Sequence, residues 1–383
     1  MSVFEFRGAT RYLFGCGAAA RLGVEAAKFG KKALLVLDPG LSAAGLEPKV
    51  TGPLQKDSLE IALFQEFVQE PEPEEADAAA KLARQKGCDL VIGVGGGSAM
   101  DLAKAAAVLA RNDGRTRDYI GVDLVPKPGL PTIMVPTTAG TGSEVTWTAV
   151  FTMRKDKAKG GVNSPHLFPD LALLDPELTL TVPPDMTAAT GLDALCHAIE
   201  SFTSVKANPM SDMTALEAVG LIADNLPLAW ADGRNLKARE NMLLGSLLAG
   251  LGLANAGVTA VHALSYPLGA LFGIPHGLAN AVLLPHVITY NCIGNPEKFA
   301  LVAEVMGQDV EDLTPREAAK LAGTAVFELM ADLEMPEGLS DLDVPEDALE
   351  TLADKAMNLT RVLDNNPRVI TKEDALYIYE EAY

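Results

Sequence analysis

The amino-acid sequence predicts an α/β domain over residues 1–183, built on a parallel sheet, and an all-helical domain over residues 184–383. Up to about residue 180, short β-rich runs alternate with helical stretches, which is typical of a parallel sheet covered by helices. After Pro183 and Pro184 the β-rich runs vanish, and periodic segments rich in Ala, Leu, Glu and Met continue to the end. A chain of 383 residues is long enough for two such domains.

The elements of the first domain follow from its apolar runs. The clear strand candidates are residues 33–37, 90–93 and 132–135, and the weaker ones are 61–67, 149–153 and 171–174. Helical patterns fill the gaps, for example over residues 74–86 and 99–110.

Composition excludes several classes of protein. The chain is 48% hydrophobic and 21% charged, which is typical of a globular protein. Its net charge of −20 repels phosphate backbones and anionic lipids, so we expect no nucleic-acid partner. Four cysteines without a CxxC pair, and an N-terminus without a long apolar stretch, favour a cytoplasmic location.

One long segment resembles a membrane span by composition. No Asp, Glu, Lys or Arg lies between Glu240 and Glu297, and residues 242–260 are apolar enough to span a bilayer. However, basic anchors do not flank this segment, and Gly, Asn and Pro interrupt it. It also holds three of the five histidines, so we interpret it as the interior of a buried site and expect no membrane contact.

A carboxylate and an imidazole share one face of the first helix of the second domain. Asp193 and His197 are four residues apart in a helical pattern over residues 187–202, opposite the apolar face. Such a pair can bind one divalent cation, and Glu200 on the same stripe can orient a ligand. An ordinary surface Asp–His pair is the alternative, and these two residues alone favour it.

The other histidines favour a metal site over a surface pair. His262 lies in AVHALSYPLG and His276 in GIPHGLAN, both within the charge-free segment, where a buried imidazole needs a partner. One carboxylate with three imidazoles suits Fe²⁺, Zn²⁺, Co²⁺ or Ni²⁺, and the sequence does not choose among them. We interpret His166 and His286 as structural and Cys196 as a core residue.

Two loops after predicted strands can hold phosphate or ribose groups. In LVIGVGGGSAMDLAK, glycines 95, 96 and 97 and Ser98 join a strand to a helix, where backbone can approach a pyrophosphate. A tight strand–helix turn is an equal alternative, because the motif is not GxGxxG. The second loop, PTTAGTGSEVT at residues 136–146, is rich in hydroxyls and glycine.

An acidic residue ends the first clear strand. Asp38 stands where a carboxylate accepts from the ribose 2′-hydroxyl and repels a 2′-phosphate, which favours NAD over NADP. A simple turn before Pro39 is the competing interpretation.

Five segments together resemble the iron-containing (group III) alcohol dehydrogenase family over nearly the whole chain. They are GGGSAMDLAK, PTTAGTGSEVT, SPHLFPDLALLDPELT, GLDALCHAIESF and HALSYPLGALFGIPHGLANAVLLPHV. The resemblance implies a Rossmann-like NAD-binding domain, a helical metal-binding domain and a cleft between them. It also implies hydride transfer between a small primary alcohol or diol and its aldehyde, with Fe²⁺, or Zn²⁺ or another divalent metal. Members commonly form homodimers or larger homo-oligomers.

The family's functional residues can be carried over by motif. Its metal ligands match Asp193, His197, His262 and His276. Its cofactor contacts match Gly97, Ser98, Thr137, Thr138, Thr146 and Lys159, with Asp38 near the adenosine ribose and Leu178 as a further apolar contact. Gly96 belongs to the same phosphate loop.

Two positions depart from the family pattern. Tyr266 stands where many members have the second histidine of an HxxxH motif, which is discussed as a proton relay. A phenol can relay a proton or bind a substrate oxygen, but it does not ordinarily titrate near neutrality. Leu253 stands at a position where bulky aromatic residues are common in the family, which predicts a roomier pocket here. The resemblance therefore does not identify the substrate.

Other functions are compatible with parts of this pattern. A glycerol dehydrogenase-like polyol enzyme or a dehydroquinate synthase-like lyase of the same fold binds metal with three protein ligands, and a maleylacetate reductase binds none. The fourth ligand-type residue therefore argues against all three. A metallohydrolase is also disfavoured, because it would not need the glycine- and threonine-rich loops to bind a nucleotide and because no HExxH motif is present. A non-catalytic NAD-binding protein would not need the intact ligand set.

Overall fold

The computed structural model describes residues 3–383 as two compact units. One unit is Gly8–Val182, and the other combines Pro183–Tyr383 with residues 3–7. The N-terminal segment joins the helical unit through Asn255, whose Oδ1 accepts from Arg7 N at 2.6 Å and whose Nδ2 donates to Arg7 O at 2.7 Å. The assignment of cofactor binding to residues 1–183 and metal binding to residues 184–383 stays a prediction.

The first unit contains two sheets. Its strands are β1 (Tyr12–Phe14), β2 (Lys32–Leu37), β3 (Glu60–Phe64), β4 (Leu90–Gly95), β5 (Gly121–Val122), β6 (Thr132–Pro136), β7 (Thr148–Met153), β8 (Ala158–Asn163) and β9 (Leu171–Leu174). Six of them form a parallel sheet in the order β1-β9-β6-β4-β2-β3. The remaining three form a small sheet in the order β5-β8-β7, in which β7 and β8 are antiparallel.

The central strands are apolar because helices cover both faces of the sheet. Residues Ala33–Leu37 of β2 and the residues of the neighbouring strand β4 are buried, as expected for a parallel sheet. The clear strand candidates are therefore confirmed. The candidate at residues 149–153 is also a strand, β7, but it lies in the small sheet. Its partner β8 has the sequence AKGGVN, whose glycines and asparagine are uncommon in strands, so its composition gave no strand signal.

Helices connect these strands and make up the second unit. Those of the first unit are α1 (Leu22–Ala26), α2 (Pro39–Ala43), α3 (Glu47–Lys56), α4 (Pro73–Lys86) and α5 (Gly97–Arg111). Those of the second are α6 (Pro184–Thr203), α7 (Pro209–Ala231), α8 (Leu236–Ala256), α9 (Ala260–Phe272), α10 (His276–Asn291), α11 (Pro296–Val305), α12 (Pro315–Asp332), α13 (Leu349–Ala356), α14 (Thr360–Leu363) and α15 (Lys372–Glu381). No strand occurs in the described part of the second unit, so the predicted fold class is confirmed.

Helix α6 runs through the interior of the helical unit. It packs against α7, α8 and α10, and residues 191–203 are all buried. The face that carries Asp193 and His197 is therefore as buried as the apolar face. The sequence pattern distinguishes two faces of this helix, but it does not show that other helices cover both.

The charge-free segment forms most of α8 and all of α9 and α10. Among the described residues no single helix is long and apolar enough to cross a membrane. Helices α8 and α9 together have the length and composition of a membrane span, but the chain bends by 102° between them.

Candidate functional site

Four polar side chains meet inside the helical unit. Asp193 and His197 lie one turn apart on α6, His262 lies on α9, and His276 begins α10. Asp193 Oδ1 is 3.8 Å from His197 Nε2, 3.9 Å from His262 Nε2 and 3.8 Å from His276 Nε2. The ligand-type atoms of Asp193, His262 and His276 all lie within 4.8 Å of one another, and the His197 ring stacks on His262 at 4.9 Å.

This donor set fits a divalent cation. Bonds of about 2.1 Å in a tetrahedral site place neighbouring ligand atoms roughly 3.4 Å apart, slightly closer than the separations seen here. Asp193, His197 and His262 are at most 5% exposed, and His276 is half-buried. Neutral imidazoles and a carboxylate are the ligands that Fe²⁺ or Zn²⁺ accepts. Neither His166, which is exposed, nor His286, which packs on Phe327, belongs to this group.

Glu200 determines which nitrogen of His262 faces the donor set. Its Oε2 pairs with His262 Nδ1, and an ionised carboxylate only accepts, so Nδ1 carries the proton and Nε2 keeps a lone pair. Its Oε1 accepts from Thr259 N at 3.0 Å, Thr259 Oγ1 at 2.8 Å and Val261 N at 2.7 Å. Glu200 therefore also places a negative charge at the N-terminus of α9, which stabilises that helix. This observation agrees with the orienting role expected for Glu200.

A glycine allows α10 to approach α6. A Cβ atom on Gly277 would lie 2.3 Å from the carbonyl oxygen of Ala189, a distance that no side chain can adopt. The first turn of α10 can therefore lie against the backbone of α6, which brings His276 close to Asp193. Cys196, next to these residues in sequence, is fully buried, and burial raises the pKa of its thiol well above the usual range. It is a neutral core residue, as interpreted from the sequence.

Asn280 is a polar neighbour of this site that the sequence did not identify. Its Nδ2 donates to Asp193 Oδ1 at 2.7 Å and lies 3.2 Å from both His262 Nε2 and His276 Nε2. Its Oδ1 is buried and has no hydrogen-bond partner among the described residues. The signal in the sequence was the spacing, since Asn280 follows His276 by one helical turn.

In the first unit, several of the predicted cofactor residues follow the carboxyl ends of parallel strands. Asp38 follows β2, Gly96 and Gly97 follow β4, and Thr137 follows β6. The chain order reverses between β2 and β4, and ligands of parallel sheets bind at such a point. Asp38 also caps α2, because its Oδ1 accepts from Gly40 N at 2.8 Å. The interpretation of Asp38 as a turn residue is therefore confirmed, and its contact with a ribose stays a prediction.

The two glycine- and threonine-rich loops lie side by side. Thr137 N donates to the carbonyl oxygen of Gly95 at 3.0 Å, and a Cβ atom on Gly96 would lie 3.5 Å from Thr138 Oγ1. Gly95 has φ 148°, a conformation that favours glycine. No side chain caps the N-terminus of α5, whose first amide groups can therefore bind an anion.

A buried lysine holds the second loop. Lys104 is fully buried; its Nζ donates to Ser143 O at 3.0 Å, to Thr146 Oγ1 at 3.3 Å and to Thr148 O, and lies 3.2 Å from Asp101 Oδ1. Burial lowers the pKa of Lys104, and the Asp101 carboxylate opposes this effect. Because Asp101 and Lys104 are both on α5, this pair fixes the loop to the helix that begins at the glycine triplet.

Four further residues lie in this part of the unit. Lys159 pairs with Glu70 Oε1 at 2.7 Å, and Glu70 N donates to Ser98 Oγ at 3.0 Å, so Glu70 links two predicted cofactor residues. Glu144 is buried in the second loop, and burial raises its pKa to about 7. Leu178 is 1% exposed and packs in the core beside the sheet, so its contact with a cofactor stays a prediction.

The chain matches two family models that together cover most of its length. Residues 9–176 match the model for iron-containing alcohol dehydrogenase, and residues 187–383 match the model for the C-terminal part of the Fe-containing alcohol dehydrogenase family. The chain belongs to the iron-containing alcohol dehydrogenase family. The resemblance found in the sequence motifs is thereby confirmed, and the protein is an alcohol oxidoreductase.

Other alcohol dehydrogenases are similar over at least 92% of the chain. The long-chain-alcohol dehydrogenase 1 of Geobacillus thermodenitrificans is 43% identical, over 96% of this chain and 94% of that protein. The 1,3-propanediol dehydrogenase of Citrobacter freundii is 42% identical, over 92% of each. A crystal structure of a 1,3-propanediol oxidoreductase superimposes with a TM-score of 0.97 at 39% identity and covers 100% of both chains.

The positions that depart from the family pattern lie in the helical unit. The ring of Tyr266 is half-buried, with its centroid 5.6 Å from that of His276 and 6.1 Å from that of His262. In this alcohol dehydrogenase a phenol therefore lies beside His262 and His276. Leu253 is half-buried on α8.

Proposed function

We propose that the protein is a metal-dependent NAD(H) alcohol dehydrogenase that interconverts a small primary alcohol or diol with its aldehyde by hydride transfer. The observation that supports this proposal most strongly is the donor set, in which Asp193 Oδ1 lies 3.8–3.9 Å from three imidazole nitrogens. The relatives named for long-chain alcohols and 1,3-propanediol support an alcohol or diol as substrate.

The metal is Fe²⁺ in this proposal, with Zn²⁺ or another divalent cation as the alternative. Asp193, His197, His262 and His276 bind it, and Glu200 keeps the Nε2 lone pair of His262 directed into the site. A bound divalent cation lowers the pKa of an alcohol hydroxyl and polarises an aldehyde carbonyl, while NAD accepts or donates the hydride.

The cofactor residues each have a distinct role. The amide groups at Gly96 and Gly97 and the Ser98 hydroxyl bind the pyrophosphate at the N-terminus of α5. Asp38 accepts from the adenosine ribose and selects NAD over NADP. The remaining contacts come from Thr137, Thr138, Thr146, Lys159 and Leu178.

Tyr266 is proposed as the group that passes the alcohol proton towards solvent. Its half-buried phenol lies beside His262 and His276, and a hydroxyl both donates and accepts, so it can hand on a proton without becoming charged. We also propose that the enzyme is cytoplasmic and forms a homodimer or a larger homo-oligomer, as members of the family commonly do.

The test combines activity with metal content. Absorbance at 340 nm is followed with primary alcohols or diols plus NAD, and with aldehydes plus NADH, before and after chelation and restoration of Fe²⁺ or Zn²⁺. We expect activity that depends on the metal. If no substrate in a broad panel gives metal-dependent turnover, the proposal is wrong.

A pair of variants tests the ligands. His262→Ala should abolish bound metal by elemental analysis. His286→Ala is the matched control, because this imidazole packs on Phe327 away from the donor set and its loss should leave the metal content unchanged. Full retention of metal in His262→Ala would exclude His262 as a ligand.

A further inference from the structure

Asn280 lies within the donor set. Its Nδ2 is 2.7 Å from Asp193 Oδ1 and 3.2 Å from the Nε2 atoms of both His262 and His276. Neighbouring atoms in a metal coordination sphere are separated by about 3.0–3.4 Å when the metal–ligand bonds are about 2.1 Å. The amide nitrogen is therefore as close to three ligand-type atoms as another ligand of the same metal would be.

The protons around Asn280 determine its orientation. The carboxylate of Asp193 accepts, and the Nε2 atom of His262 also accepts, because Glu200 holds the proton of that ring on Nδ1. An amide NH₂ group pointing at these lone pairs makes attractive contacts. The opposite orientation would place a carbonyl oxygen against the Asp193 oxygen, which is repulsive. The inward NH₂ group is favoured even though it leaves Asn280 Oδ1 buried without a partner among the described residues.

Asn280 thus faces the ligand atoms with the same polarity as a cation. Its Nδ2 group carries partial positive charge and lies against the Asp193 oxygen and the two imidazole nitrogens in a buried site. A divalent cation at the same donors repels these N–H groups, since both are positive. The contacts of Asn280 therefore favour the metal-free site over the metal-loaded site.

We propose that Asn280 is a positioning residue that stands in for the cation: its amide NH₂ group keeps the metal-free donor set together and is displaced when the metal binds. The inference rests on the metal site of the proposed function. It has an unusual consequence, because removal of a buried polar residue next to the ligands should strengthen metal binding.

The experiment measures the melting temperature of metal-free and Zn²⁺-loaded protein, and the Kd for Zn²⁺ by chelator competition. In Asn280→Ala we expect the metal-free Tm to fall more than the loaded Tm, and the Kd to decrease about tenfold, the effect of one hydrogen bond to a charged group. Asn280→Asp replaces the donor by a second carboxylate, so its metal-induced rise in Tm should be larger still.

The same helix provides a matched control. Asn291 is buried on α10, donates to Asn366 Oδ1 at 2.8 Å and accepts from Asn366 Nδ2 at 2.7 Å. Asn291→Ala should lower both melting temperatures equally and leave the Kd for Zn²⁺ unchanged.

The outcomes separate this inference from the proposed function. Equal losses of Tm in the two states of Asn280→Ala would mean an ordinary structural role, and a weaker Kd would mean that Asn280 supports the loaded site. Either result overturns the inference and leaves the proposed metal site intact. Failure of the unsubstituted protein to bind metal would instead refute the proposed function.

Discussion

Replacement of Glu200 by glutamine should weaken metal binding without removing a ligand. Glu200 Oε1 accepts from Thr259 N, Thr259 Oγ1 and Val261 N, and the carbonyl oxygen of glutamine can keep all three bonds. Its NH₂ group then faces His262 Nδ1, which is also a donor. The His262 proton must move to Nε2, and this removes the lone pair that the metal requires.

The structure also sets the size of the effect. Glu200→Gln exchanges a charge-assisted hydrogen bond for a contact between two donors, and such a bond contributes about 1.5–3 kcal/mol. Since about 1.4 kcal/mol corresponds to a factor of ten, the Kd for Zn²⁺ should rise roughly 10- to 100-fold. Loss of a partner that orients a metal-bound histidine typically has the same effect.

Chelator competition on metal-defined protein measures this change. Thr259→Val is the matched control, because it removes a hydrogen bond to the same carboxylate but leaves the contact with His262. It should lower the Tm and leave the Kd for Zn²⁺ unchanged. An unaltered Kd in Glu200→Gln would refute the reasoning, since His262 would then keep its lone pair without Glu200.

Three further predictions concern single side chains. Burial raises the pKa of Glu144 from 4.5 to about 7, so the stability that its neutral carboxyl contributes is present below pH 4.5 and is lost as the pH rises through 7. At pH 8 the free energy of unfolding of Glu144→Gln in urea should therefore exceed that of the unsubstituted protein by up to about 3 kcal/mol. At pH 4 the two free energies should be equal, and the same difference at both pH values would contradict this prediction. Asp38→Asn keeps the hydrogen bond from Gly40 N that caps α2 but removes the negative charge. The ratio of kcat/KM with NAD to kcat/KM with NADP should therefore fall by about tenfold, and the Tm should not change. An unchanged preference would rule out a role for Asp38 in selection. Tyr266→Phe should lower kcat by about tenfold or more and alter the pH–rate profile at unchanged metal content, and a variant with the original kcat and profile would show that Tyr266 relays no proton.

Local spacing made part of the structure predictable. The alternation of apolar runs and helical patterns predicted the parallel sheet because the period of a strand and that of a helix differ. The spacing of Asp193 and His197 predicted that they share a face of one helix, and both lie on α6. Histidine is scarce in this chain, and that scarcity together with the family resemblance pointed to His262 and His276 as partners of this pair.

Contacts between distant segments were not predictable in the same way. Glu200 and His262 are 62 residues apart, and Asn280 contacts Asp193 across 87 residues, so no periodic pattern relates them. Lys104 is a similar case, because a lysine in a helix usually faces solvent and here its Nζ is held by the backbone of another loop. Such pairings depend on how the helices and loops pack, which the sequence does not show one segment at a time.

The attachment of residues 3–7 to the helical unit affects how the protein folds during synthesis. Residues 8–182 form a compact unit of their own, and domains generally fold as units in the order in which they leave the ribosome. Arg7 and its partner Asn255 are separated by 248 residues. At about 5–20 residues per second, the N-terminal segment waits roughly 12–50 s before its partner is made. The unit Gly8–Val182 can therefore fold before the helical unit is complete, and residues 3–7 pack against their helical partner only after that partner has been synthesised.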